Sequence, residues 1–285
     1  MRPFSVRDLA HIPYVFASST RSAVGRNHSH GPYTFSMQLR ADLQAAVSRA
    51  GLLATTHGHA SITPEHLLAA LLTDDAVAHV IAGVGGDIAA LTASSTKLVD
   101  ALDPRIRNAG FVPPVAATDV LKRAFAQVKA NGGASVTPVD AFIAIYGPPV
   151  SRASQLLATA GIDRLRVLLF IEHGIARDAD ANDATVDTLR AYAAPPTADV
   201  TVTRRIVLHN DRYTTMEYVV EALQSFFDLT ADDAKHLMLA AQREGKATVA
   251  VDAEATAELR IATLLSHARA HGMPLLVTSE PAERD

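Results

Sequence analysis

The chain has 285 residues, 48% of them hydrophobic and 20% charged, with a formal net charge of −4 and a pI of about 6.3. That length accommodates two domains, the acidic balance leaves no basic footprint for nucleic acid, and no apolar run approaches the ~18–20 residues of a membrane span. Cysteine is absent, which excludes disulfides, zinc thiolate sites and thiol catalysis and is compatible with the reducing cytoplasm in which we expect the protein.

Residues 1–36 stand apart. Arg2, Arg7, Arg21 and Arg26 face a single acid, Asp8, among scattered Ser, Gly and Pro, with no continuous apolar core of a secretory signal. The expectation is a disordered tail. An organelle-targeting stretch is one alternative, and a true start at Met37, where the helical pattern begins, is another.

A repeat follows. Ala60-Ser61-Ile62-Thr63-Pro64 recurs as Ala134-Ser135-Val136-Thr137-Pro138, offset by 74 residues. Without gaps, the same offset pairs Arg49-Ala50 with Arg123-Ala124, Gly58 with Gly132, Ala70 with Ala144, Ile88 with Ile162 and Leu91 with Leu165. Two related helical units, about 37–105 and 106–176, are predicted. In each, a first helix (37–54 or 117–131) runs to a Gly-containing loop. Thr then caps a second helix with Pro at its first position. Glu65 and Asp140 sit in its first turn, where the helix dipole favours acids. Leu67, Leu68, Leu71 and Leu72, matched by Phe142, Ile143 and Tyr146, supply a core stripe at helical spacing. A third helix lies near 76–82 or 151–160, and a fourth starts around Asp87 or Asp163. The first predicted domain is thus an all-α duplicated four-helix repeat over 37–176.

Residues 177–202, rich in Asp, Ala and Thr and containing Pro195-Pro196, read as a flexible linker. A coil of that length spans ~25–30 Å on average. The period then changes. Arg205–His209 is strand-like, Thr214–Asp228 and Thr230–Gly245 are helical, Thr248–Val251 is a short strand, Ala253–His271 a helix, and Pro274–Ser279 a last strand. The order βααβαβ makes 203–285 a small α+β domain with helices on one sheet face.

Within it, Ile206 to Val220 reads IVLHNDRYTTMEYVV. Acceptors Asn210 and Asp211 close an apolar strand, and Thr214 and Glu217 form a predicted capping box. Met216 and Val219 follow within one turn. An ammonium has three donors and no acceptor, so it needs convergent oxygens. The layout suits a cation carried on an apolar side chain, such as the first residue of a peptide.

Residues 204–280 resemble the ClpS adaptor family. The matching residues are His209-Asn210-Asp211, Tyr213-Thr214, Met216-Glu217, Leu223-Gln224 with Phe226-Phe227, Leu237-Met238-Leu239-Ala240, Glu244-Gly245-Lys246 and Pro274-Leu275-Leu276. Residues 37–176 are similar to the N-terminal domain of ClpA-type unfoldases, the duplicated Clp repeat, through Thr63-Pro64-Glu65-His66-Leu67-Leu68, Leu71-Leu72, the duplication itself and Phe170-Ile171-Glu172-His173-Gly174. The resemblance implies a non-enzymatic adaptor of the ATP-dependent Clp protease. Such an adaptor binds N-degron substrates, proteins with a bulky hydrophobic first residue, and docks on the unfoldase's N-terminal domain. It assigns Asn210 and Asp211 to the α-amino group, Thr214 to the pocket border, and Met216, Val219, Met238, Ala241 and Leu275 to the pocket wall. Glu254, Glu258 and Arg260 fall near the docking surface.

Three positions depart from the family pattern: Arg212 replaces a second acid, Thr215 replaces a Pro, and Gln242 stands at the pocket His, after Ala241 where Val is common. Arg212 puts a cation near a site meant to receive one, Thr215 should loosen the helix start, and Ala241 should widen the wall. The tether raises the effective concentration of the two domains for each other to about millimolar, so intramolecular or homo-oligomeric domain pairing is a further expectation. A motorless decoy that sequesters adaptors, and a scaffold with a decayed pocket, remain rivals. No phosphate loop occurs, since Gly245-Lys246 is followed by Ala and preceded by no suitable glycine. No cofactor is expected. His57, His59 and His66, with His28 and His30, lack the carboxylates that would complete a metal site, and no nucleophile elbow appears.

Overall fold

The computed structural model describes residues 38–108, 113–176 and 203–282. The expected tail at 1–36 and linker at 177–202 lie outside the described residues. The described residues form two compact units: one comprises those up to 79 and from 87 to 160, the other 80–86 with those from 161 onward.

In the first unit, α1 (Ala41–Thr56), α2 (Pro64–Leu71), α3 (Asp75–Gly83, whose end belongs to the second unit), α4 (Ile88–Asp100), α5 (Ala117–Ala130), α6 (Pro138–Ala144) and α7 (Arg152–Thr159) follow the predicted grammar. The centre is α2, which packs on α1, α4, α5, α6 and α7. Leu67, Leu68 and Leu71 are fully buried there, as are Phe142 and Ile145 of the second repeat. Each such side chain contributes roughly 1.5–3 kcal/mol on leaving water.

The duplication extends to hydrogen bonds. Arg49 Nη2 donates to the Ala70 carbonyl at 3.3 Å, and its repeat partner Arg123 donates through Nε to the Ala144 carbonyl at 3.1 Å. Thr63 N–H donates to His66 Nδ1 at 3.1 Å, while Thr137 N–H donates to Asp140 Oδ2 at 2.8 Å. The same capping role is thus filled by an imidazole in one repeat and a carboxylate in the other. The halves also exchange contacts. A two-residue strand β1 (Gln38–Leu39) pairs in parallel with β2 (Ser135–Val136), and Arg40 N–H donates to the Val136 carbonyl at 3.1 Å. Reciprocally, Ala117 N–H donates to the carbonyl of Ile62, the repeat partner of Val136, at 3.0 Å.

Three expectations change. The first helix begins at Ala41, not 37, because Gln38 and Leu39 are drawn into the β pairing. Glu65 does more than complement its own helix: 5% exposed, it accepts the Ala153 N–H of α7 at 3.2 Å. The gapless repeat ends before the fourth helix. Asp87 and Asp163 are the caps of α4 and of α8 (Arg164–His173). They lie two residues further apart than the 74-residue offset, so Val167, fully buried, takes the place in α8 that Leu91 holds in α4.

The second unit contains α8, β3 (Thr203–His209), α9 (Met216–Phe227), α10 (Ala231–Glu244), β4 (Lys246–Ala253), α11 (Glu254–Ala270) and β5 (Leu276–Pro281). The order from β3 onward is βααβαβ. The sheet order is β4-β3-β5, both pairings antiparallel, with a bulge between Ile206 and Val207 opposite β4. Ile206 and Leu208 point into one apolar cluster with Val219, Leu223 and Phe227 of α9, Ala241 of α10, and Ala257 and Leu264 of α11. Gly245 ends α10 in the left-handed region, at φ 83°, where a Cβ costs about 1 kcal/mol. Among the described residues no single helix is long and apolar enough to cross a membrane.

Candidate functional site

Sheet register fixes where the predicted ligands meet. His209 at the end of β3 pairs with Lys246 on one side and Leu276 on the other. The next residue, Asn210, is therefore flanked by the end of α10 and by Leu275. A bond from Asn210 N–H to the Gly245 carbonyl, 2.8 Å, fastens that corner. Gln242 lies one turn before Gly245 on α10, and Met216 opens α9. One end of the sheet thus brings Asn210, the end of α10 and Leu275 together.

Asn210 is exposed and Asp211 half-buried. Among the described residues no group engages the Asn210 carboxamide. Asp211 Oδ1 accepts the N–H groups of Tyr213 at 2.8 Å and Thr214 at 2.6 Å. That oxygen holds the turn, and among the described residues Oδ2 accepts no hydrogen bond. The anticipated capping box is corrected: the cap of α9 is Thr215, whose hydroxyl accepts from Tyr218 N–H at 3.3 Å. Thr215 secures the helix start rather than loosening it. Thr214 is released from that duty, and its buried hydroxyl has no hydrogen-bond partner.

The apolar wall divides. Val219, Ala241 and Leu275 are 8%, 2% and 4% exposed and belong to the domain core, with Met238 packed against it. Met216 is 52% exposed, and Gln242 is also exposed. Of the positions assigned to a pocket wall, Val219, Ala241 and Leu275 are thus closed into the core, Met238 is half-buried, and the flexible thioether of Met216 is the exposed one.

Arg212 is not the bare cation its sequence position implies. Its Nη2 and Nε donate to Glu172 Oε1 at 2.7 and 3.0 Å, and its backbone N–H donates to Glu172 Oε2 at 3.1 Å. Glu172, on α8, has a side chain only 7% exposed. Sequence reasoning missed this pairing, although an arginine in the place of an acid is itself a signal to seek a compensating carboxylate. Nearby, His209 Nε2 lies 2.7 Å from Thr278 Oγ1. Burial first, then the charges of His173 and Lys246, hold its pKa below the usual imidazole value against the pull of Glu280.

The three predicted docking residues share α11. Glu254 pairs with Arg204 at 2.9 Å. Arg260 pairs with Asp252 at 3.3 Å and lies 5.8 Å from the Phe227 ring centroid. Glu258 is half-buried. Among the described residues no three His, Asp or Glu side chains are grouped to hold a metal ion.

Together the duplicated helical unit and the small α+β domain define a two-module protein of the Clp protease system. Residues 38–160 match the Clp repeat N-terminal domain, and residues 202–278 match the ATP-dependent Clp protease adaptor protein ClpS. The adapter protein ClpS of Deinococcus radiodurans is 40% identical over 77 residues, 27% of this chain and 68% of the relative. That of Salmonella paratyphi B is 36% identical over 103 residues, 36% of this chain and 92% of the relative. The solved structure of Agrobacterium tumefaciens ClpS2 bound to L-phenylalaninamide is 31% identical, with a TM-score of 0.28, covering 28% of this chain and 98% of that one. The chain belongs to the ClpS family of Clp protease adaptors and carries a Clp repeat domain besides.

Proposed function

We propose that the carboxyl-terminal domain captures proteins whose first residue is a bulky hydrophobe and delivers them to the Clp unfoldase, docking on its N-terminal domain through the α11 surface around Glu254, Glu258 and Arg260. The same reading puts the protein in the cytoplasm and its domain boundaries at 37–176 and 203–285. The observation that supports it is the turn leaving β3, which carries the uncommitted Asn210 carboxamide, the free Asp211 oxygen and the orphan Thr214 hydroxyl and runs into the exposed Met216 that opens α9. In this reading the oxygens receive the α-ammonium while the first side chain meets the apolar residues Met216, Val219, Met238 and Leu275. Gln242 offers an amide oxygen in place of an imidazole, so capture through it does not titrate near neutral pH.

Fluorescence anisotropy with labelled peptides starting in Leu, Phe or Ala tests this on the full chain. Leu and Phe should bind and Ala should not. Asp211→Ala, which removes a charged acceptor worth roughly 1.5–3 kcal/mol, should weaken binding by at least tenfold. Equal affinity for all three peptides would sink the reading. A second reading is favoured by the repeat domain itself: a docking-type module tethered to an adaptor can sequester other adaptors as a decoy. In a reconstituted degradation assay, a carrier accelerates turnover of Leu-started substrates and a decoy retards it.

A further inference from the structure

Helix α8 lies outside the stretch that matches the adaptor family, yet it grips the amine-binding corner at two points. At its end, Glu172 takes Arg212 through the guanidinium and the backbone N–H together. Beside it, His173 Nε2 donates to the Pro274 carbonyl at 2.8 Å, one residue before Leu275. Arg212 follows Asn210-Asp211 directly, and its side chain is 54% exposed while that of Glu172 is 7% exposed. The carboxylate is the buried partner, and Arg212 occupies both of its oxygens. A guanidinium left alone at this position repels an incoming ammonium, and a paired one does so far less.

We propose that Glu172 is a positioning residue for amine capture. It neutralises Arg212 and, through the Arg212 N–H, holds the Asn210–Asp211 turn in the geometry that receives a free peptide α-ammonium. The inference rests on the capture reading above and adds to it a residue from a helix outside the stretch that matches the adaptor family. It also fixes a specificity. With Glu172 in place, Arg212 is engaged and ignores the second residue of the peptide. Without Glu172, the guanidinium seeks an acid there.

Anisotropy on the full-length protein, its Glu172→Gln and Arg212→Gln variants and the double variant tests the idea. The probes are Leu-started peptides with a free or acetylated amino terminus and a neutral or acidic second residue. Glu172→Gln should weaken binding of the free-amine, neutral peptide on the order of tenfold and create a preference for the acidic one. Arg212→Gln alone should leave affinity within about twofold, and adding it to Glu172→Gln should restore most of the loss. Unchanged binding in Glu172→Gln, or a loss that persists in the double variant, overturns the inference while capture itself stands. If the wild-type protein does not distinguish free from acetylated peptide, the capture reading fails and this inference fails with it.

Discussion

Acid should loosen the helical unit through one residue, His66. Its side chain is fully buried, its Nδ1 accepts the Thr63 N–H at 3.1 Å, and its Nε2 lies 2.9 Å from His59 Nδ1. Because Nδ1 is an acceptor, the proton of neutral His66 sits on Nε2 and is donated to His59. A second proton has no place without breaking the cap. Burial first, then the charges of His59 and His57, lower its pKa from 6.5 to about 4. The unfolded chain therefore binds a proton that the native state refuses. Stability from this residue is complete above about pH 6.5 and falls as pH drops towards 4. At pH 4, where native His66 is half protonated, the loss is about 3 kcal/mol. The comparison is His66→Gln, which keeps an acceptor for the Thr63 N–H in a conventional capping box but does not titrate. Urea unfolding followed by far-ultraviolet circular dichroism, from about pH 7.5 to pH 4, should show the wild-type helical transition losing about 3 kcal/mol more than the variant. Parallel stability profiles for the two proteins would refute the assignment of the imidazole as a buried neutral cap.

The adjacent threonines at the start of α9 should separate. Thr215→Ala removes the helix cap and should cost about 1 kcal/mol of the second unit's stability. Thr214→Val removes an unpartnered buried hydroxyl and should be neutral or stabilising, as read by thermal denaturation of both variants. Glu65→Ala leaves the Ala153 N–H buried without an acceptor and should cost roughly 1.5–3 kcal/mol in the helical transition. Glu65→Gln should recover about half of that, checked by the denaturation midpoint.

Local chemistry made most of the architecture legible. Thr63-Pro64 and Thr137-Pro138 mark helix starts because a capping hydroxyl and a proline at the first position satisfy or dispense with free N–H groups. The duplication survives as matching Arg49–Ala70 and Arg123–Ala144 bonds. The strand–turn–helix at Ile206–Val220 placed Asn210 and Asp211 at the mouth of an apolar element. What escaped is long-range. Gln38–Leu39 becomes a strand only because Ser135–Val136 lies alongside it. Glu65 resembles any first-turn acid until Ala153 is brought to it. Glu172 looked like part of a closing helical motif, and only the fold sets it against Arg212. At the α9 start, two neighbouring threonines offered the same hydroxyl to the cap, and pattern alone favoured Thr214 for its spacing to Glu217. The Asp211 turn settles the matter by claiming the Thr214 N–H.

The reciprocal stitching of the two repeats bears on how this protein can be dissected. Ile62 and Val136 each lend a carbonyl to the chain entering the opposite repeat, so neither half carries its own fastening. A fragment cut between them would expose two unclosed backbone edges, and the nearest match for each edge is the missing half of another molecule. Such truncations are therefore built to interchange strands and pair up, whereas a fragment that keeps both repeats closes on itself.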